Sequence, residues 1–408
     1  MEAAAAALDT QTFREQLSRW YRLHARELPW RGIHDPYATW LSEVMLQQTR
    51  VATVIERYAE FLRRFPTVQA LAEAEEHDVL ALWSGLGYYR RARMLHRAAQ
   101  FVMRELRGVF PQTAAELRTL PGVGEYTAAA VASIAFGEPV AAIDGNVERV
   151  LLRVLGQAED RSAGAMTQLK AVAQSLVPTG SSAQRQGALD SGNSAKRVGG
   201  KQRGHGTKSR KAPGATSGSS GEDRSAKLPQ YENPAGDHNQ AMMELGATIC
   251  LPQSPRCLEC PVMEMCRTRG QHSTAAREKP KSRAVAHLLA IRKRGVRTEV
   301  LLERRSEQAG LMPGMWELPP VPLDAVEGRE PALRLRHAIT NTMYSVSVYC
   351  EDVLRLPGVE ARRTLLQQVP ASKKSLRWIA APVLPGVALT GLARKCLQRL
   401  RIMAPPLQ

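Results

Sequence analysis

Apolar residues recur with a helical period along most of the first half of the chain. Between Thr10 and Pro178, the segments Thr39–Phe65, Tyr88–Leu106, Glu125–Phe136 and Gly145–Leu155 carry apolar side chains three and four positions apart, as helices with one buried face do. Proline and glycine punctuate these runs. Pro66, Gly85–Gly87, Pro111, Pro121–Gly124 and Gly137–Pro139 each predict a helix end. No stretch of this half alternates as a strand does. The pattern then lapses: residues 180–235 hold Gly, Ser, Lys and Arg with almost no large apolar side chain. Such a segment buries too little surface to offset its ordering entropy and reads as a disordered insertion. Helical periodicity returns at His238–Cys250.

After a polar linker at 271–283 the period changes to two. AVAHLLAIR (Ala284–Arg292) and RTEVLLER (Arg297–Arg304) predict a hairpin turning at KRGV, while TMYSVSVYC (Thr342–Cys350) and SLRWI (Ser375–Ile379) predict further strands. TGLARKCLQRLRI (Thr390–Ile402) reads as a closing helix. The expected organisation is multidomain: an all-α domain from 1–179 plus 236–270, then an α+β domain at 284–408.

Composition adds a partner class. The apolar share, 44%, is ordinary for a globular protein, and no uninterrupted apolar run approaches a bilayer's thickness. MEAAAAALDT lacks the basic start of a secretory leader, so the reading is a protein of the cytosol of a bacterium-like cell, with reduced thiols and no membrane partner. Lys and Arg number 56 against 39 acidic residues, a net charge of +17 that points to a polyanion, most often nucleic acid. Residues 181–230 contribute ten Lys/Arg against three Asp/Glu, so much of the excess lies in the insertion.

Four cysteines, Cys250, Cys257, Cys260 and Cys266, stand within one short loop with gaps of six, two and five residues. Thiolates bind soft or borderline metals, so an iron–sulfur cluster and a structural zinc are both open on this spacing. Leu120-Pro121-Gly122-Val123-Gly124 precedes the helix-forming Glu125-Tyr126-Thr127-Ala128-Ala129-Ala130. Two glycines permit a sharp turn, and the free N–H groups of the next helix can bind a phosphate without any side chain.

The LPGVG turn followed by this cysteine spacing resembles the endonuclease III superfamily of DNA glycosylases. Leu28–Ile55, Leu82–Leu95, Ile143–Arg153 and Asn239–Cys250 narrow the likeness to MutY-type adenine DNA glycosylases. The resemblance covers nearly all of the chain outside 180–235. It implies a [4Fe–4S] cluster on the four cysteines and a helix–hairpin–helix at Gly122, Val123 and Gly124 that holds DNA. It makes Glu43 the general acid that protonates the flipped adenine, which calls for a carboxyl in a closed pocket. Without the resemblance, Glu43 shares a helix face with Gln47 and Arg50, and a solvated face is the plain reading. Asp144 becomes the carboxylate that stabilises an oxocarbenium-like sugar, against a plain reading as a helix N-cap. Asn146 is expected to orient the catalytic groups. Tyr126 stands where the bifunctional enzymes carry a Schiff-base lysine, so a monofunctional glycosylase is implied.

The likeness also places Gln48, Thr49, Leu86 and Tyr88 in a wedge that fills the space of the extruded base. It puts Arg26, Trp30, Arg31 and Glu244 near the adenine pocket. The C-terminal domain resembles a Nudix-like module through Leu311–Pro319 but lacks the glutamate cluster of Nudix hydrolases. Where the family reads 8-oxoguanine with a Phe-Ser-His loop, this chain has Ile339, Thr340 and Asn341. The implied activity is excision of adenine opposite 8-oxoguanine or guanine in double-stranded DNA by a monomer. The rivals are an endonuclease III-like glycosylase/lyase on oxidised pyrimidines and a non-catalytic damage-binding protein.

Overall fold

The computed structural model describes residues 8–157, 162–179, 233–271, 281–339, 341–352, 365–370 and 375–404. The expected insertion therefore lies almost wholly outside the described residues, as does Thr340. In chain order the helices are α1 (Thr10–His24), α2 (Pro36–Leu46), α3 (Val51–Arg64), α4 (Val68–Ala72), α5 (Glu76–Leu82), α6 (Arg90–Glu105), α7 (Ala114–Leu117), α8 (Glu125–Phe136), α9 (Gly145–Leu155), α10 (Ala163–Leu176) and α11 (Pro234–Thr248). The strands β1 (Lys281–Arg294), β2 (Arg297–Arg304), β3 (Trp316–Glu317), β4 (Pro320–Val321), β5 (Leu333–Ile339), β6 (Thr342–Asp352) and β7 (Leu376–Ala380) follow, and α12 (Gly391–Arg399) closes the chain. Among the described residues no helix is long and apolar enough to cross a membrane.

The chain divides into two compact units. The first joins Met1–Ala25 to Pro139–Gln271. Its core is the apolar face of α1 (Phe13, Leu17, Trp20, Tyr21) packed with α9, α10 and α11. Helix α9 begins at an Asp144 cap and ends at Gly156, whose φ of 67° is the left-handed conformation that closes helices.

The second unit joins Arg26–Glu138 to His272–Gln408. In its helical part α2 starts on an Asp35 cap followed by Pro36, and residues 37–45 are all buried. The single helical segment expected over Thr39–Phe65 is two helices, α2 and α3, broken at Gln48, whose φ is 53°. Apolar periodicity runs through the break, which is why the pattern alone did not reveal it. Gly122 turns at φ 76°, and a Cβ there would lie 2.4 Å from the Met94 Cβ, so the hairpin needs glycine for both shape and space.

In the C-terminal part, β1 and β2 form the expected hairpin with Arg294 opposite Arg297. The sheet runs β3-β2-β1-β6-β5, with β4 also on β1 and β7 also on β2, and β1 and β6 are parallel. One face of the sheet and α12 enclose Leu289, Val300, Leu302, Val346, Val348 and Leu397. This is the α+β class read from the period-two segments. Strand β5 is not among the predicted strands, although Leu333, Arg334, Leu335 and Arg336 alternate inward and outward as strand residues do. His337 and Ile339 are consequently strand residues rather than loop residues, and Asn341 sits in the turn into β6.

Candidate functional site

Glu43 is buried, at 5% exposure, in the centre of α2. The solvated-face reading fails because α2 stops at Leu46, leaving Arg50 as the cap of α3 instead of a neighbour on Glu43's face. Tyr126, in the first turn of α8, donates its hydroxyl to Glu43 Oε2 at 2.6 Å. Gln47 Nε2 donates to Thr127 Oγ1 at 3.0 Å, a second tie between the same two helices. A buried carboxyl without such partners would cost several kcal/mol, on the order of an unmet charge-assisted bond. The hairpin that turns at Gly122 thus delivers Tyr126 to the carboxyl.

In the other unit, Asp144 takes the capping role weighed for it, and its second oxygen is held as well. Its Oδ1 caps α9, accepting the backbone N–H groups of Asn146 and Val147 at 2.9 and 2.8 Å. Its Oδ2 accepts from Asn146 Nδ2 at 2.7 Å. The extended segment before it is laced down on both sides. Ala142 N donates to Asn239 Oδ1 and Asn239 Nδ2 donates to the Val140 carbonyl, while Gln174 bonds Ala141 N and the Pro139 carbonyl. Asn239 and Gln174 escaped the sequence reading. Each sits on a helix far along the chain, with no local signal that its amide replaces a neighbouring strand.

Asn146 leads on to the cysteine loop. Its Oδ1 accepts from Arg149 Nη2 at 2.9 Å, and the same guanidinium donates to the carbonyls of Gly246 and Cys250 at 2.8 Å each. One turn later Arg153, only 3% exposed, donates to Cys250 Sγ at 3.3 Å and to the carbonyls of Leu251 and Pro252. Arg267 N and Thr268 N in turn satisfy the last carbonyls of α9, those of Val154 and Arg153. Gly246 must be glycine here, since a Cβ would come 2.6 Å from the Asn146 Cβ. Arg149 and Arg153, four apart on α9, are functional residues the sequence reading passed over, and their spacing was the available signal.

The four cysteines are all partly buried and unoxidised. Burial pushes the Cys260 thiol up to about 11, and the three other sulfurs push it the same way. Cys257 is raised likewise, by burial and then by Cys266 and Cys250. The loop therefore gathers sulfurs that repel one another once ionised, a donor set that a bound cation would discharge. Arg153 Nη1 and the Arg269 backbone N–H, 3.5 Å from Cys266 Sγ, supply donors that suit thiolates. Among the described residues no three or more His, Cys, Asp or Glu side chains converge tightly enough to hold a single metal ion.

The second unit also holds a cavity of about 1070 Å³. Its walls include the hairpin (Gly122, Val123), Gln48 and Tyr88, the Ala309–Pro313 loop, and His337 to Ile339. Arg90, Arg91, Arg93 and Arg97 line it, and no Asp or Glu does. Of the predicted wedge, Gln48 and Tyr88 face the cavity, whereas Thr49 and Leu86 lie behind it, bonded through Thr49 Oγ1 and the Leu86 carbonyl. Gly124 is the N-cap of α8. Trp30 is buried edge-on against Tyr58, and Arg31 bonds the Arg26 carbonyl, so these three form one packed turn. Glu244 is buried in α11.

A glycine-turned hairpin feeding a helix, a buried carboxyl on the facing helix and a downstream cysteine loop define a helix–hairpin–helix repair protein. The family model described as HhH-GPD superfamily base excision DNA repair protein matches residues 41–176. The adenine DNA glycosylase of Homo sapiens is 40% identical over 273 residues, covering 64% of this chain and 40% of that one. That of Mus musculus is 32% identical over 400 residues, covering 81% of this chain and 67% of the relative. The chain belongs to the adenine DNA glycosylase family, as the Leu28–Ile55, Leu82–Leu95 and Ile143–Arg153 strings implied. It spans only about two-fifths of the human relative's length. Among solved structures, a thermostable thymine-DNA glycosylase matches at 23% identity and a TM-score of 0.47, over 64% of this chain and 96% of that one.

Proposed function

We propose that the protein is a monofunctional glycosylase that removes adenine mispaired with 8-oxoguanine, or with guanine, from duplex DNA. The observation that carries this is the 2.6 Å hydrogen bond from Tyr126 to the buried Glu43 carboxyl. A phenol at this place orients a proton donor but offers no amine for a Schiff base, so strand cleavage has no nucleophile here. Glu43 is assigned protonation of the adenine leaving group at N7, and Asp144 is assigned stabilisation of the sugar cation after the base departs. The amide of Asn146 holds Asp144 Oδ2 and keeps that carboxylate oriented. Arg90 and Arg97 in the cavity wall suit a phosphodiester strand, whereas Arg91 and Arg93 are bonded to protein. Ile339 lines that cavity on the side where lesion reading is assigned, with Asn341 in the adjoining turn.

The cysteine loop is assigned a [4Fe–4S] cluster. Four thiols on one loop with N–H donors to sulfur support this, and one thiolate per iron does not require the sulfurs to meet on a single ion. When bound, such a group supplies structural cross-linking of the loop. The residues around it carry that constraint through Arg149 and Arg153 to α9.

Single-turnover cleavage of duplexes carrying A opposite 8-oxoguanine and A opposite guanine tests the reading. Wild type is expected to leave an abasic site without borohydride-trappable adduct, and Glu43→Gln to lose activity by about a thousandfold or more. Intact glycosidic bonds with folded wild type, or equal rates for the two proteins, sink it.

A further inference from the structure

Arg91, the second residue of α6, spends its guanidinium on protein. Nη1 donates to the carbonyls of Val44 (2.8 Å), Met45 (3.0 Å) and Gln47. Nη2 donates to Thr49 Oγ1 (3.0 Å) and to the carbonyls of Leu86 (2.9 Å) and Gly87 (3.2 Å). The Val44, Met45 and Gln47 carbonyls belong to the end of α2, where a helix has no partners of its own to offer. The remaining donor, Nε, is buried without a partner. Trp83 and Tyr88 rings lie 5.4 and 5.6 Å from the guanidinium carbon. Although Arg91 borders the arginine-lined cavity, its hydrogen-bonding edge is turned to the backbone and is not offered to a phosphate.

Three non-glycine residues of the cavity wall have left-handed backbones, Gln48 at φ 53°, Tyr88 at φ 47° and Met312 at φ 47°, and the first two of them adjoin Arg91. Such conformations cost free energy and persist only where the surroundings enforce them. The peptide units preceding Gln48 and Tyr88 are the ones Arg91 holds, through the Gln47 carbonyl and the Gly87 carbonyl. Trp83 Nε1 adds a second donor to the Gly87 carbonyl at 3.1 Å. The planar fork reaches both peptide units at once, which a lysine ammonium cannot do with one point of attachment.

We propose that Arg91 is a positioning residue that sets Gln48 and Tyr88 together, in strained conformations, so that both can be pushed into a duplex as the base leaves. This rests on the reading of the protein as an enzyme that extrudes a base from duplex DNA. It assigns Arg91 to extrusion and not to chemistry, since Glu43 is held separately by Tyr126.

The test compares excision of adenine paired in a duplex with excision of adenine left unpaired in a one-nucleotide bulge, where little wedging is needed. Binding-induced fluorescence of 2-aminopurine at the adenine position gives a readout that does not depend on bond cleavage. For Arg91→Ala the paired rate is expected to fall roughly a hundredfold, the size of losing two charge-assisted hydrogen bonds, and the unpaired rate by about tenfold less. The fluorescence rise on binding should disappear and return with added methylguanidinium. Arg91→Lys, which keeps the charge and tests the fork if Arg91→Ala fails to fold, should show the same selective loss. Equal losses on both substrates, or an undiminished fluorescence rise, overturn the proposal. If wild type cleaves neither substrate, the glycosylase reading fails, and the fluorescence comparison still decides the role of Arg91.

Discussion

Asp144 shows how one side chain can be structural and chemical at once. Its Oδ1 closes the first turn of α9 and its Oδ2 is gripped by Asn146. Asparagine caps helices as well as aspartate does. Asp144→Asn is therefore expected to keep the fold, with a stability change within about 1 kcal/mol, while excision is lost because an amide cannot stabilise a cation. Thermal melts beside single-turnover rates check this. A variant that retains full activity would return Asp144 to capping alone. Much at this scale was legible in the sequence. Glu43, Tyr126 and the four cysteines stood in motifs. Arg91, Arg149 and Asn239 also lay inside such strings, but their roles were not legible, because each acts on backbone carbonyls or amides supplied by other parts of the chain. Backbone groups leave no trace in composition.

At the scale of elements, α11 carries two neighbouring titratable groups that pull stability in opposite directions. Burial raises the Asp237 carboxyl to about 7 from 3.8. The folded state keeps a proton that the unfolded chain has already shed, so this contribution is full below 3.8 and fades as pH rises through 7. Burial, and then Arg14, lower His238 to about 4 from 6.5. Its contribution is full above 6.5 and fades as pH falls through 4. Asp237→Asn is expected to raise the Tm at pH 8 and leave it unchanged near pH 3. The gain is about 1 kcal/mol, after allowing for the partial exposure of the carboxyl. In that background, stability should decline from pH 6.5 to 4 under the influence of His238. A Tm series across pH 3–8 reads both effects. Element boundaries were legible where proline, glycine or a cap marks them, as at Gly145–Leu155. The break at Gln48 was not legible, because the left-handed turn there is held by Arg91 and not by any residue suited to such a turn.

Across the whole molecule, α9 joins the Asp144 segment at one end to the cysteine loop at the other, through Arg149, Arg153 and the backbone of Arg267 and Thr268. Removing the proposed cluster by oxidation and chelation is expected to quench visible absorption and lower the Tm. It should speed amide exchange in α9, α11 and Cys250–Thr268 more than in the β1–β2 hairpin. Uniform exchange changes across both units would contradict a local structural role.

The path of the chain through its first unit has a further consequence. Helix α1 leaves the ribosome long before α11, yet Phe13, Leu17, Trp20 and Tyr21 pack against residues of α9, α10 and α11 that reach as far as Ile249. At ordinary synthesis rates the completing helix arrives roughly ten to fifty seconds after α1. For that interval an amphipathic helix with three aromatic side chains on its apolar face has no permanent partner. A helix made well ahead of its partners is among the last elements of this unit to be buried, and its safe passage depends on whatever shields the nascent chain until α11 emerges.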